Sequence, residues 1–217
     1  MIRVHLKVPQ FYQQWGSRTC GQNAMKMVLA YHGIPNEIGV IRREMKLTGQ
    51  QGTYPVEIGL WFLKNGFDVS LHTQNWMCRP SWRGLSTEKL YRRLYRWSAR
   101  KDVDRTCGRT RYARALLAYL DAGGEFHARS VRMSDIEAAL IRHEPPIVSV
   151  QHSMLCTLRD EWNAQTGHLV VPTGLRGSKI YYNDSWRECG QSSTHKEDFQ
   201  NATAIWGGSA IFVSPQK

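Results

Sequence analysis

The hydrophobic positions in the first third of the chain follow two different periods. Every second residue from Ile2 to Val8 is apolar, which predicts a short strand. From Cys20 onward the apolar residues recur at helical spacing until Gly33 ends the helix. The same two patterns predict two further helices and then a strand, over 37–47, 56–64 and 67–72.

Residues 76–125 differ from their surroundings because they are dense in arginine and aromatic side chains. Leucines at helical spacing predict two amphipathic helices there, each with a basic outer face. We interpret the segment as a helical insertion, at about 76–125, in a single domain that spans residues 1–217. The basic face is either a solvated surface, which is the more frequent case, or a flank of a groove that selects an acidic partner. The predicted inner faces are Leu90, Leu94 and Trp97, and Leu116, Leu117 and Leu120.

The second half of the chain is rich in predicted strands. A capping-box pattern at Ser134 and Glu137 starts a helix that ends near His143. Further on, residues 176–179 predict a tight turn between two strands. A helical half followed by an antiparallel sheet half is an α+β pattern. The expected strands are 147–150, 168–171, 180–182 and 210–213.

The composition favours one folded domain with a positive surface. The chain has 217 residues, of which 41% are hydrophobic and 22% charged, and a net charge of +11. This charge suits an acidic substrate, but the basic residues accompany no nucleic-acid-binding motif, so we expect no nucleic acid. No apolar run reaches the roughly 20 residues of a membrane helix, so we expect no membrane span. The N-terminus lacks an apolar signal region, which predicts a cytoplasmic location and leaves export by a signal-less route open.

Five cysteines are spread over the chain without a C-x-x-C pair. Their odd number and wide spacing suggest neither a disulfide framework nor a zinc site, and a reducing compartment is the natural expectation. His152 and Cys156 are a weak candidate for metal binding, since no third and fourth ligand lies nearby. We therefore expect no metal and no cofactor. The cysteines are Cys20, Cys78, Cys107, Cys156 and Cys189.

Cys20 is the cysteine whose position favours chemistry. It follows a loop and begins a predicted helix, where unpaired backbone N–H groups and the helix dipole favour the thiolate. Gly21 leaves room beside it for a substrate backbone. A cysteine at a helix start is more often structural, so the interpretation depends on partners elsewhere in the chain.

A base and an acceptor that orients it can be placed beside Cys20. His168 opens a predicted strand and Asp184 ends the next one, so a tight hairpin puts the two side by side. A carboxylate at Asp184 would hold the imidazole in the tautomer that serves the thiol. Gln14, six residues before Cys20, is a candidate oxyanion donor together with the backbone N–H of Cys20, and Gln13 competes for this role.

Four segments of the sequence resemble the peptidase C39 family and its C39-like relatives. VPQFYQQWGSRTCGQNAMKMVLAYHG is similar to the opening block of the family, and GHLVVPTGLRGSKIYYNDSW to its second block. DIEAALIRHEPPIVSV and IWGGSAIFV resemble flanking segments. The chain departs from the family at Gln22 and Asn23, where proline and a small residue are usual, and at Ser185, where proline is common. Residues 76–125 have no counterpart that we can place.

The resemblance implies a papain-like fold and a cysteine peptidase. Cys20 is then the nucleophile, His168 the base and acid, Asp184 the orienting acceptor and Gln14 a donor in the oxyanion hole. The implied reaction cleaves a peptide or isopeptide amide of a polypeptide substrate through a thioester intermediate. Two alternatives stay open: a protein glutamine deamidase or other amidohydrolase on the same fold, and a catalytically idle fold used as a binding module.

Overall fold

The computed structural model describes residues 3–49, 51–74, 80–82, 84–99, 108–156 and 167–216. The strands are β1 (Arg3–His5), β2 (Phe67–His72), β3 (Glu125–His127), β4 (Ile147–Gln151), β5 (Gly167–Arg176), β6 (Lys179–Asn183), β7 (Gln191–His195) and β8 (Ala210–Pro215). The helices are α1 (Cys20–Tyr31), α2 (Ile38–Glu44), α3 (Pro55–Lys64), α4 (Thr87–Ser98), α5 (Gly108–Asp121), α6 (Met133–Ile141), α7 (His152–Leu155) and α8 (Lys196–Ile205). A short 3-10 helix covers Pro80–Trp82.

The strands form one sheet in the order β3-β2-β8-β4-β5-β6-β7, and β1 pairs with β5 outside this path. Neighbouring strands are antiparallel except for β2 and β3, which run parallel. Parallel neighbours need a long crossover connection, and α4 and α5 lie in the connection between β2 and β3. The predicted α+β class is confirmed, because helices and a mainly antiparallel sheet are packed together in one structure.

Strand β5 is the element that brings the site together. Its residues from His168 to Leu175 are buried, and it pairs with β1, β4 and β6. Helix α1 packs against it so closely that a Cβ atom on Gly21 would lie 3.3 Å from Leu169 Cδ1 and would overlap Thr53 Oγ1. The glycine predicted to leave room for a substrate is therefore also what lets the first turn of α1 approach β5.

Helices α4 and α5 confirm the amphipathic pattern predicted within residues 76–125. Leu90, Leu94 and Leu116 are at most 3% exposed, whereas the Arg92 side chain is 67% exposed and forms an ion pair with the exposed Glu88 at 2.5 Å. The remaining predicted inner positions are also covered: Leu120 is buried, and Trp97 and Leu117 are partly buried.

An ion pair joins this helical segment to the chain that leads into α3. Arg111 of α5 donates to both carboxylate oxygens of Glu57, at 2.5 and 2.7 Å, and to the carbonyl of Gly52 at 3.0 Å. The Glu57 carboxylate also accepts from the backbone N–H of Tyr54 at 2.9 Å. The loop held in this way carries Thr53, the residue that lies against Gly21.

Two sequence predictions about element boundaries are wrong. The strand predicted over 2–8 is shorter than expected, because Leu6 and Val8 are buried loop residues. Beyond β1, the described backbone hydrogen bond to β5 is from the N–H of Leu6 to the carbonyl of Thr173. Ile2 lies outside the described residues. The capping box predicted at Ser134 and Glu137 does not form.

Helix α6 begins one residue before the predicted cap. Its start is fixed by Asp135, whose carboxylate accepts from the backbone N–H of Arg132 at 2.8 Å and from the guanidinium of Arg129 at 2.7 and 2.9 Å. A charge-assisted pair to a neighbouring arginine thus replaces the serine cap. Strands β3 and β7 and helices α7 and α8 were not predicted from the sequence. None of the helices in the described ranges is long and apolar enough to cross a membrane.

Candidate active site

Cys20 is the first residue of α1 and is half-buried. The preceding Thr19 does not cap the helix with its side chain; its hydroxyl instead lies 2.8 Å from that of Ser17. The first-turn N–H groups of α1 therefore have no side-chain acceptor at the cap position and lie beside the thiol. The positive end of the helix dipole acts at the same place, so this position stabilises negative charge on sulfur.

His168 and Asp184 lie together as the hairpin pattern predicted. Strands β5 and β6 pair antiparallel around a tight turn at Gly177, which has a φ of 61°. His168 Nε2 lies 2.7 Å from Asp184 Oδ1, and both side chains are almost completely buried. The same carboxylate oxygen accepts from the backbone N–H of Trp186 at 2.8 Å. The carboxylate is thus fixed by the loop that follows β6 and fixes the ring in turn.

The imidazole of His168 lies close enough to Cys20 for each group to shift the pKa of the other. Because Nε2 faces Asp184, Nδ1 is the ring nitrogen left to face the thiol. Burial raises the pKa of Cys20, but the hydrogen bond and charge of His168, with backbone hydrogen bonds at Leu169 and Gly21, outweigh it and lower that pKa below its ordinary value. The arrangement therefore favours a thiolate at Cys20.

His168 and Asp184 each stabilise the charged form of the other. Burial lowers the pKa of His168, but the charge and hydrogen bond of Asp184, and then those of Cys20, raise it to about 10. Burial raises the pKa of Asp184, but the charge of His168, hydrogen bonds from His152 and His168, and the Trp186 N–H hold it well below its usual range. A thiolate, an imidazolium and a carboxylate in series are the state that these directions favour at neutral pH.

The two candidate oxyanion glutamines differ in their surroundings. Gln13 is half-buried, and its side-chain oxygen accepts from Ser185 Oγ at 3.1 Å. Gln14 is exposed, and its described hydrogen bonds use its backbone carbonyl, which accepts from the N–H and hydroxyl of Ser17. Both line a cavity of about 480 Å³ together with Trp186. Gln14 therefore lines the cavity next to Trp186, and none of its described hydrogen bonds joins its side chain to Cys20.

The comparison with known families decides what this site belongs to. The sequence model of the Peptidase_C39 like family matches residues 5–210, which is nearly the whole chain. The chain belongs to the peptidase C39-like family. No curated protein sequence matches it.

Three solved structures share the C39 fold with this C39-like chain. The peptidase domain of Streptococcus ComA, a bi-functional ABC transporter involved in a quorum-sensing pathway, is 18% identical with a TM-score of 0.50, covering 95% of this chain and 98% of that one. A double glycine motif protease from an AMS/PCAT transporter, in complex with its leader peptide, is 15% identical with a TM-score of 0.51 over 100% of both chains. A C39-like protein from Bacillus anthracis gives the same three values. The predicted papain-like fold is confirmed.

The C39-like site contains a histidine that sequence reasoning assigned elsewhere. His152, the first residue of α7, has its Nε2 3.4 Å from Asp184 Oδ2, the carboxylate oxygen that His168 does not use. Its ring contacts those of both His168 and Trp186, with centroids 4.6 and 5.4 Å away. The signal that could have identified it is its place directly after β4, the strand that pairs with the first residues of β5.

A disulfide next to this histidine corrects the interpretation of the cysteines. Cys156, which follows α7, is bonded to Cys189, which lies in the loop between β6 and β7. The bond was missed because the two cysteines are 33 residues apart in sequence and become neighbours only through the fold. Cys20 is the free cysteine of the described residues, and Cys78 and Cys107 lie outside them.

The residues around His152 include two sets with metal-ligand chemistry. The ligand atoms of His152, Cys156 and Cys189 lie within 4.8 Å of one another, and so do those of His152, His168 and Asp184. The argument that His152 and Cys156 have no further ligand nearby is therefore wrong, since Cys189 is there. A cysteine binds metal as a thiolate, however, and these two sulfurs are bonded to each other.

The residue before His168 gives a prediction about how tightly the C39-like site is packed. A Cβ atom at Gly167 would lie 2.9 Å from Trp206 Cδ2, and the Trp206 ring is held by a hydrogen bond from its Nε1 to Gln151 Oε1. We expect Gly167→Ala to lower the free energy of unfolding by about 1–3 kcal/mol, measured by urea denaturation. Gly39→Ala is the matched control, because its Cβ meets no atom within 4 Å and should not destabilise the protein. Equal stability of the two variants would contradict the prediction.

Proposed function

We propose that this chain is a cysteine peptidase with Cys20 as nucleophile, His168 as base and acid, and Asp184 as the residue that orients His168. The observation that carries the proposal is the buried imidazole, which lies between the free thiol and a buried carboxylate. A purely structural core histidine needs one acceptor. This one has a carboxylate at 2.7 Å on one nitrogen and a polarised thiol on the side of the other.

The reaction begins with attack of the Cys20 sulfur on the carbonyl carbon of the scissile amide. The tetrahedral intermediate collapses as the C–N bond breaks, and the imidazolium of His168 gives its proton to the departing amine. A thioester then joins Cys20 to the acyl part of the substrate. His168 takes a proton from water, the hydroxide attacks the thioester, and the carboxylic acid leaves as the thiolate and imidazolium form again.

The oxyanion that develops in both steps needs donors near the start of α1. The backbone N–H of Cys20 lies in the uncapped first turn, so it is free of a side-chain acceptor at the cap. We assign the second donor to Gln14. Its side chain is exposed on the cavity beside Trp186, from which it can turn toward a bound substrate, whereas the Gln13 amide is held by Ser185.

The substrate that best fits the surface is a polypeptide with a bulky apolar or aromatic side chain. Tyr12 and Trp15 are 45% and 58% exposed, and both line the 480 Å³ cavity with Trp186, a direct neighbour of the His168 ring. Aromatic walls of this kind bind apolar side chains through area and stacking. A fold relative binds a leader peptide, which is consistent with a peptide in this groove.

We also propose that the substrate is acidic and that the chain is a single domain with a helical insertion. The net charge of +11 would attract an acidic polypeptide, and the attraction would weaken as the salt concentration rises.

The predicted cytoplasmic location stays a prediction. The Cys156–Cys189 disulfide favours an oxidising compartment, or a pair that changes state in a reducing one.

The test is digestion of a peptide library, with new termini read by mass spectrometry and released ammonia measured in the same samples. We expect new N-termini with the wild-type chain and none with Cys20→Ala. Ammonia without new termini would replace the peptidase with a deamidase. Neither product, together with an unreactive Cys20, would make the chain a binding module.

A further inference from the structure

We propose that His152 is a positioning residue for Asp184 and that the Cys156–Cys189 disulfide holds it in place, so that the reactivity of Cys20 depends on the redox state of this pair. The proposal rests on the function proposed above and adds a regulation of the same site. It follows from what each oxygen of Asp184 contacts and from how His152 is attached to the fold.

The two oxygens of the Asp184 carboxylate have unequal surroundings. Oδ1 accepts from His168 Nε2 at 2.7 Å and from the Trp186 N–H at 2.8 Å. Oδ2 is buried, and among the described residues the polar group that faces it is His152 Nε2 at 3.4 Å. This distance is longer than that of a charge-assisted hydrogen bond, so Oδ2 has one long polar contact, whereas Oδ1 has two short ones. Without His152 a buried carboxylate oxygen would lose its polar neighbour.

The disulfide attaches His152 to the loop that carries Asp184. Helix α7 has only four residues, and Cys156 follows it directly. Cys189 lies in the loop that begins at Asp184, and its Sγ is 3.7 Å from His152 Nε2. That loop is closed on itself, because the Asp184 N–H donates to the carbonyl of Gly190 at 2.8 Å. The covalent bond thus joins one short helix to one closed loop, and His152 lies between them.

Reduction of the disulfide would break this covalent link between α7 and the loop. A dithiol or a phosphine reductant supplies two electrons, two protons are taken up, the S–S bond breaks, and Cys156 and Cys189 become two thiols. A helix of one turn has little stability of its own, so α7 and its first residue gain freedom when the bond is lost. His152 then spends less time facing Oδ2, and Asp184 stabilises the imidazolium of His168 less well.

The titratable groups that act on Asp184 define the readout. They are His168 and His152. Asp184 in turn acts on Tyr182, whose pKa is raised to about 12 by burial and by the Asp184 charge. His168 lowers the pKa of Cys20. If Asp184 stabilises the imidazolium of His168 less well, the pH midpoint for Cys20 alkylation should therefore rise. A merely structural role of the disulfide would lower stability and leave this midpoint unchanged.

The experiment measures the rate of Cys20 alkylation by iodoacetamide against pH, mapped by mass spectrometry, in the oxidised protein with a chelator present. His152→Phe keeps the ring contacts and removes the donor, and His152→Gln keeps a donor near the same place and removes the ring. We expect His152→Phe to raise the midpoint by about one pH unit and to slow alkylation below it about tenfold. His152→Gln should restore most of the rate. The double variant Cys156→Ser/Cys189→Ser should shift the midpoint in the same direction as His152→Phe.

Folding and redox controls keep the two proposals separable. Each variant is compared at a temperature at which its near-ultraviolet circular dichroism is native, and wild-type protein reduced by a phosphine provides a disulfide-free state without mutation. A low midpoint shared by wild type, His152→Phe and the reduced protein would overturn this inference alone. A wild-type Cys20 that titrates as an ordinary thiol would overturn it together with the proposed function.

Discussion

In the Asp184→Asn variant we expect the thiolate of Cys20 to be lost at neutral pH. The asparagine can still accept the Trp186 N–H and face His168, so the geometry is kept while the charge is removed. That charge is the largest influence raising the pKa of His168 against the effect of burial. A buried neutral imidazole no longer stabilises the Cys20 thiolate, and burial then raises the pKa of the thiol.

The measurement is a titration of thiolate absorbance in the ultraviolet. The midpoint for Cys20 should rise by about two pH units in Asp184→Asn, which corresponds to about a hundredfold less thiolate below it. Asp198→Asn removes an exposed carboxylate from the first turn of α8 and is the control for a change of net charge. An unchanged midpoint in Asp184→Asn would mean that Asp184 has no electrostatic role at the site.

The second large effect concerns the change of stability with pH, and it tests whether Asp184 keeps His168 protonated in the folded protein when the Cys20 thiol is absent. Between about pH 7 and 8 the unfolded chain carries one proton on this pair, on Cys20, because His168 is mostly neutral there and the ordinary thiol pKa is about 8.5. The folded chain also carries one, on His168, if Cys20 is a thiolate. Equal proton counts make the contribution of the pair to stability independent of pH in this window.

In Cys20→Ser the folded state keeps the His168 proton, since Asp184 still raises that pKa, but the unfolded state loses its proton above about pH 6.5. The stability from a raised histidine pKa is fully present below about 6.5 and is lost as pH rises through the pKa of the folded state. We therefore expect the variant to lose about 1.4 kcal/mol relative to wild type between about pH 7 and 8.

Urea denaturation of both proteins across this pH range tests the prediction. The difference between their free energies of unfolding cancels the contributions of all other titrating groups, provided that the mutation leaves them unchanged. A difference that stays constant with pH would show that His168 carries no proton in the folded Cys20→Ser variant. Asp184 alone would then not keep the imidazole charged.

The parts of this site that could be predicted are those encoded in local patterns. Helix α1 and the β5–β6 hairpin each have a clear period, and a hairpin has few possible registers once its turn is set at Gly177. The hairpin predicts that His168 and Asp184 lie on adjacent strands, but their contact lies beyond the last ladder pair, Val171 with Asn183, and after a register shift between Pro172 and Gly174. The contact with Cys20 follows from one further step, the packing of α1 on β5, for which Gly21 leaves the space.

The parts that could not be predicted depend on contacts between distant segments. Cys156 follows α7 and Cys189 lies in the loop between β6 and β7, and no spacing rule links two cysteines that are 33 residues apart. Helix α7 is too short to show a period. Helix α8 is longer and does have a sequence signal. Its first turn contains acidic residues, and its buried residues Phe199 and Ala202 are three positions apart, which is helical spacing. Strand β7, which directly precedes α8, is polar, and its residues alternate between exposed and half-buried, so it has no apolar positions that would predict a strand.

The central claim is that Cys20 is an activated nucleophile paired with His168, and its most direct test is alkylation of Cys20 by iodoacetamide across pH in wild type and His168→Ala. The account predicts that wild-type Cys20 reacts as a thiolate well below the ordinary thiol pKa of about 8.5, and that loss of His168 moves its midpoint upward. The same cysteine in urea-unfolded protein is the reference. A native Cys20 with the midpoint of the unfolded chain, unaffected by His168→Ala, would contradict the account.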